Sequence, residues 1–356
     1  MNVKKGLVIF IILSLLVSGA VLYMSIDACS FEMFKMADAS RLAVAMVLVV
    51  SVWLLDAIKI KSLTMAAGER LSFAFAMELT LINYFGAAVT PMQSGGGPFQ
   101  MFMMYRRGIG VGKSVAITLV RTILTMLILG LAIPFAIIFD ATDMPNIGWG
   151  MKGFIFYVIA FIMLMWLVIV LSLVRPRLIK RLFGMAVMLL KKLGFLNPRR
   201  VTGIIKFVCS EIDAYNQNIR DFITRGRSHF LLGVAAGVLQ MWAYLSVMPC
   251  MIWALGMPVM YVECVLVQAL FLFMLYFIPT PGGSGAAEGG AAMIFSIFVP
   301  WSVAGVLGVG WRFITEYTGI VLGVGVAIKE LGWDVTKNIT AKPQPPRDGG
   351  GDDIKP

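Results

Sequence analysis

The chain has 356 residues, 59% of them hydrophobic and 14% charged, with a mean hydropathy of +0.88. A soluble domain keeps about a quarter of its residues charged, so the composition excludes one and leaves a polytopic membrane protein. The formal net charge of +11 does not point to nucleic acid, because the basic residues sit in the connections between apolar segments, where the positive-inside rule puts them.

Spanning helices are predicted near 6–26, 41–58, 71–90, 113–139, 153–174, 229–252, 260–278 and 302–328, each suited to a hydrocarbon core of about 30 Å. The pieces near 98–105 and 287–299 are too short to cross and are expected to be re-entrant. The fold class is therefore an all-α integral membrane protein, with about eight transmembrane helices plus two re-entrant helical hairpins. The opening "MNVKKGLVIFIILSLLVSGAVLYMSIDAC" has the look of a secretory signal. Its apolar part, Leu7 to Ile26, exceeds the usual 7–15 residues, and Asp27 suits a lipobox before Cys29 poorly. It reads as a retained first helix.

Orientation follows from the Lys/Arg bias. Lys4 and Lys5 put the N-terminus inside. The connection carrying Lys59, Lys61 and Arg70 returns inside, as does "YRRGIGVGKS". The segments 27–40, with three acids against one lysine, and 140–151, with Asp140 and Asp143, belong outside. The segment 175–228 carries twelve Lys/Arg against three acids. It contains "RLIKRLFGMAVMLLKKLGFL", a basic amphipathic pattern suited to a membrane surface. Positive-inside alone explains its charge; attraction of anionic headgroups is the functional alternative. The domain is expected over 1–335, and the Pro/Gly-rich 336–356 reads as a disordered cytoplasmic tail.

Two segments interrupt the apolar pattern, "VTPMQSGGGPFQ" (Val89 to Gln100) and "PTPGGSGAAEGG" (Pro279 to Gly290). Each carries Thr-Pro, a glycine-rich stretch and a short apolar run. Arg121 follows Pro91 by 30 positions and Arg312 follows Pro281 by 31. Glu78 and Gln268 each precede their proline by 13. In the expected topology the copies enter from opposite faces, which makes an inverted repeat, a transporter architecture with a midplane site built from broken helices. Non-helical backbone at that depth is tolerated only within protein or along a wet cavity. The breaks at 91–98 and 281–287 are expected to line one. The half-helices starting near Pro98 and Ala286 have free N–H groups that can hold an anion.

Glu78, Arg121, Glu288, Arg312 and Glu316 fall inside apolar segments, where each should face the interior with a partner. Arg312 and Glu316 share a helix face, four apart, and Glu316 reads as a structural ion pair. Arg121 has no carboxylate on its own helix, which leaves Glu78 or Glu288 as its partner. Arg121 and Arg312 suit bidentate phosphate contact. Glu288 suits an amine or a proton. The glycines and proline of the breaks (Gly95, Gly96, Pro98, Gly282, Gly283, Gly285) complete the expected headgroup site. No catalytic constellation is visible: one histidine, His229, and cysteines without CxxC spacing give no metal site. "RGIGVGKS" lacks a P-loop glycine at Arg107, so no cofactor is expected.

The second segment, with Pro279, Pro281, Gly282, Gly283, Gly285, Glu288 and then Arg312, resembles the second signature of the lysylphosphatidylglycerol synthase transmembrane-region family, the flippase-like domain. Pro91, Gly95, Gly96, Pro98 and Arg121 resemble its first, with departures at Gly97, Gln100 and Val120. The resemblance covers about residues 7–330. It implies integral membrane proteins that move or handle lipids, in some members with a fused soluble synthase. This chain ends about 25 residues after its last expected helix, so that synthase is expected to be absent. The expectation is a flippase of the cell (inner) membrane, both termini cytoplasmic, taking an anionic or zwitterionic phospholipid. A cytoplasmic synthase is a candidate partner. The alternatives are a lipid-modifying enzyme using Glu288 with Glu78 or Tyr276, or a scaffold that presents 175–228.

Overall fold

The computed structural model describes residues 3–26, 37–138 and 226–331, together with scattered positions between 156 and 188. The span expected at 153–174 and the segment 175–228 lie outside the described residues apart from those positions. The tail 336–356 lies outside them altogether.

The described residues are helical, in chain order α1 (Val3–Ser25), α2 (Ala39–Ala66), α3 (Phe73–Ala88), α4 (Gly96–Arg106), α5 (Val111–Ile138), α6 (Arg227–Ala254), α7 (Tyr261–Leu275), α8 (Ala286–Phe295), α9 (Trp301–Arg312) and α10 (Thr318–Leu331). A single π-turn, Phe313–Tyr317, joins α9 to α10. Caps set several ends. The Asp38 carboxylate accepts from the Ser40 and Arg41 amides ahead of α2, and the Ser72 hydroxyl from the Phe75 amide ahead of α3. Both satisfy N–H groups a helix start leaves open.

Among the described residues five helices are long and apolar enough to cross a membrane: Lys5–Ser25, Ala39–Ala66, Val111–Gly130, Arg227–Ala254 and Trp301–Glu330. The expected spans 71–90 and 260–278 are shorter than the sequence pattern suggested. Helices α3 and α7 have 16 and 15 residues, about 24 and 22 Å at the α-helical rise. Their apolar runs continue to the prolines, but the backbone leaves the helix at Val89 and Tyr276. Conversely, α2 runs eight residues past the expected end at 58, which draws Lys59 into the protein.

Each short helix folds back on its successor. Helices α3 and α4 pack as a hairpin, with Phe85 and Phe99 edge to face at 5.4 Å; α7 packs on α8. Helix α2 ties the two hairpins together. Its Ala45, Val49 and Val52 enter the core shared with α6, α7, α8 and α9. Its Ala57, Ile60 and Leu63 enter the core of α3, α4 and α5. Outward-facing apolar side chains such as Leu15, Leu16 and Val321, each more than 60% exposed, are the surface a bilayer covers.

Candidate functional site

The two breaks meet. Pro91 and Pro281 form an isolated antiparallel bridge. The Met92 amide donates to the Ile278 carbonyl and the Gly282 amide to the Thr90 carbonyl, both at 3.2 Å. Each break also closes the same four-residue turn, Ser94 N–H to Pro91 and Ser284 N–H to Pro281, at 3.2 and 3.0 Å. The two central residues of each turn are left-handed: Met92 and Gln93 at φ 55° and 54°, Gly282 and Gly283 at 61° and 69°. Such φ values are open to glycine and strained for other residues. Close packing adds a second demand. A Cβ at Gly282 would lie 2.8 Å from the Phe10 ring, and one at Gly95 2.6 Å from the Gly86 carbonyl oxygen.

Beside this contact lies a cavity of about 610 Å³, walled by α2 to α7, the first break and the π-turn. The first break lines it as expected, whereas no residue of the second break, 281–287, is among its lining residues. One wall is cationic. Asp56 of α2 is held by Lys59 at 2.8 Å and by Arg121 Nη2 of α5 at 2.6 Å, and takes a hydrogen bond from Thr80 at 3.0 Å. Lys59 also donates to Gln240 Oε1 at 2.5 Å and Thr125 at 3.4 Å. Arg121 Nη1 reaches Asn83 Oδ1 at 3.3 Å. The Lys59 and Asp56 side chains are 2% and 3% exposed and Arg121 is 11%. Burial at that level requires charges to be paired, and one carboxylate serves two cations.

Arg312 lines the same cavity. Its Nη2 donates to the Gly282 carbonyl at 2.8 Å; Glu288 and Glu316 approach it at 3.7 Å each. Glu316 stands in the π-turn, a local widening that re-aims side chains and recurs at functional positions. It accepts from Tyr244 at 2.9 Å.

Of the expected site residues, Arg121, Arg312 and Pro98 line the cavity, together with Glu316; Glu288, Glu78, Gly95, Gly96, Gly282, Gly283 and Gly285 are not among its lining residues. Glu288 is fully buried, taking hydrogen bonds from Tyr317 at 2.6 Å, Ser14 at 3.0 Å and the Gly285 amide at 2.6 Å. That last bond caps α8 with a charge already in its first turn, so this helix start offers little to an added anion. Glu78 sits in the second turn of α3, 2.5 Å from Lys329 and 3.9 Å from Arg107. The partner of Arg121 is accordingly Asp56, neither Glu78 nor Glu288. Asp56 and Lys59 are the members that sequence reasoning missed. Their signal is a D-x-x-K pair at helical spacing; Lys59 reads instead as part of a basic cytoplasmic connection, and Asp56 falls unremarked inside the expected span 41–58.

Comparison with known proteins agrees with the motif reading. The model of the family described as the lysylphosphatidylglycerol synthase TM region matches residues 9–323. A protein of Archaeoglobus fulgidus described as a UPF0104 membrane protein is 28% identical over 314 residues, covering 88% of this chain and 93% of the relative.

Proposed function

The chain belongs to the family of the lysylphosphatidylglycerol synthase TM region, and we propose that it is a lipid transporter, carrying a phospholipid headgroup through the cavity while the acyl tails stay in the bilayer. The observation that carries this reading is the contact of two broken hairpins beside a cavity whose lining includes Arg121 and Arg312. Broken helices around a central site suit transport, and the volume falls within the range of small-molecule sites.

Helix packing supports an inverted repeat. If α2, α3 and α5 correspond to α6, α7 and α9–α10, the pairing of α3 with α10 mirrors that of α7 with α5, and α2 against α6 is the self-pair. In this reading the hairpins α3–α4 and α7–α8 are re-entrant, and rocking of one half against the other gives alternating access. The location is a cell membrane with both termini cytoplasmic. The cavity moves its lipid without changing it chemically.

Removing Arg121 leaves Asp56 with Lys59 as a neutral pair, so Arg121→Gln is expected to fold. Loss of a charged hydrogen-bond donor to phosphate corresponds to about a tenfold to hundredfold loss of rate. In reconstituted vesicles, Arg121→Gln should therefore slow the transbilayer movement of an acyl-labelled phospholipid at equal protein content. Unchanged movement would remove the cavity from the transport path.

A further inference from the structure

The charges at and next to the cavity lining fall into two separate ion-pair clusters. In one, Lys59 and Arg121 share Asp56, an excess of one positive charge. In the other, Arg312 and Glu316 line the cavity and pair with each other, and Glu288, fully buried outside the lining, also pairs with Arg312; the three together carry an excess of one negative charge. Glu288, Arg312, Lys59 and Asp56 have side chains no more than 3% exposed, so water and salt screen these excesses weakly. Tyr84 and Tyr276 line the cavity and interact electrostatically with Glu316 of one cluster and with Asp56 and Arg121 of the other.

From this segregation we infer that the cavity takes a zwitterionic phosphodiester headgroup, one anionic phosphate and one ammonium, in preference to a net-anionic one. The inference rests on the transport reading and names its substrate class. The phosphate goes to Arg121, whose contacts with Asn83 and Asp56 use two of its five N–H groups. The ammonium goes to Glu316. Its side chain is 22% exposed, and its contacts with Tyr244 and Arg312 both fall on Oε1. Tyrosine rings around a carboxylate favour an ammonium or trimethylammonium group. A lone anion would compensate the first cluster and leave the second with its excess; a zwitterion compensates both.

Acyl-labelled phosphatidylethanolamine, phosphatidylcholine and phosphatidylglycerol, compared in vesicles otherwise identical, test this. The two zwitterionic lipids are expected to move about tenfold or more faster than phosphatidylglycerol, and Glu316→Gln is expected to shift the ranking toward phosphatidylglycerol. Equal rates, or a lead for phosphatidylglycerol in the wild type, would overturn the inference while leaving transport intact. If no lipid moves, the transport reading fails. The headgroup assignment is then decided by native mass spectrometry of the wild type with equimolar phosphatidylethanolamine and phosphatidylglycerol. Preferential retention of phosphatidylethanolamine supports it, and equal or reversed retention overturns it. The wild-type rankings decide the matter even if Glu316→Gln does not fold.

Discussion

Asp56 is the residue on which the cationic wall depends, because its carboxylate compensates both Lys59 and Arg121. Single removals within this trio are therefore unequal. Lys59→Met deletes a cation and leaves a neutral Asp56–Arg121 pair; Asp56→Asn leaves two buried cations facing each other. Stranding buried charge costs about 3–5 kcal/mol. The apparent unfolding midpoint in detergent should fall steeply for Asp56→Asn and only slightly for Lys59→Met, and a similar fall in both would contradict the shared-carboxylate arrangement. The sequence made Arg121 legible as a buried charge but not its partner, which lies 65 positions earlier. Distance in the chain hides pairing, and Lys59 lies close enough to Lys61 to pass for part of a basic connection. Glu78 misled in the opposite direction. An apolar stretch surrounds it, yet the helix begins only at Phe73, leaving it near an end with Lys329 and Arg107.

At the scale of elements, the breaks were the most legible feature, since Pro and Gly inside apolar segments have few other physical explanations. What the sequence did not reveal is that both breaks adopt one turn, with glycines at its left-handed positions in the second copy and Met92 and Gln93 in the first. The asymmetry has a measurable consequence. A left-handed residue other than glycine costs about 1–2 kcal/mol, and Met92→Gly would relieve that. The greater freedom glycine gives the unfolded chain, about 0.5–1 kcal/mol, offsets much of the relief. Met92→Gly should be close to neutral in the unfolding midpoint. Gly282→Ala should be clearly destabilising, because strain combines with the 2.8 Å approach to the Phe10 ring. Equal effects of the two would contradict the shared turn. Helix lengths were less legible: hydropathy carried α3 and α7 on toward their prolines, whereas the turn geometry ends them earlier.

At the scale of the molecule, α2 reaches both cores while the two hairpins are joined by the Pro91–Pro281 bridge and two backbone hydrogen bonds beside a charged cavity. A contact this small can separate when one half rocks against the other, and that separation is the step on which the transport mechanism depends. The paired residues of an antiparallel bridge lie about 4.5–5.5 Å apart at Cα, within disulfide reach. The most direct measurement is therefore lipid movement in vesicles by a Pro91→Cys, Pro281→Cys variant whose four native cysteines have been replaced. Oxidation should join the two hairpins within one chain and stop the labelled lipid from crossing, and reductant should restore it. Failure to cross-link, or undiminished movement by the cross-linked protein, would contradict the account.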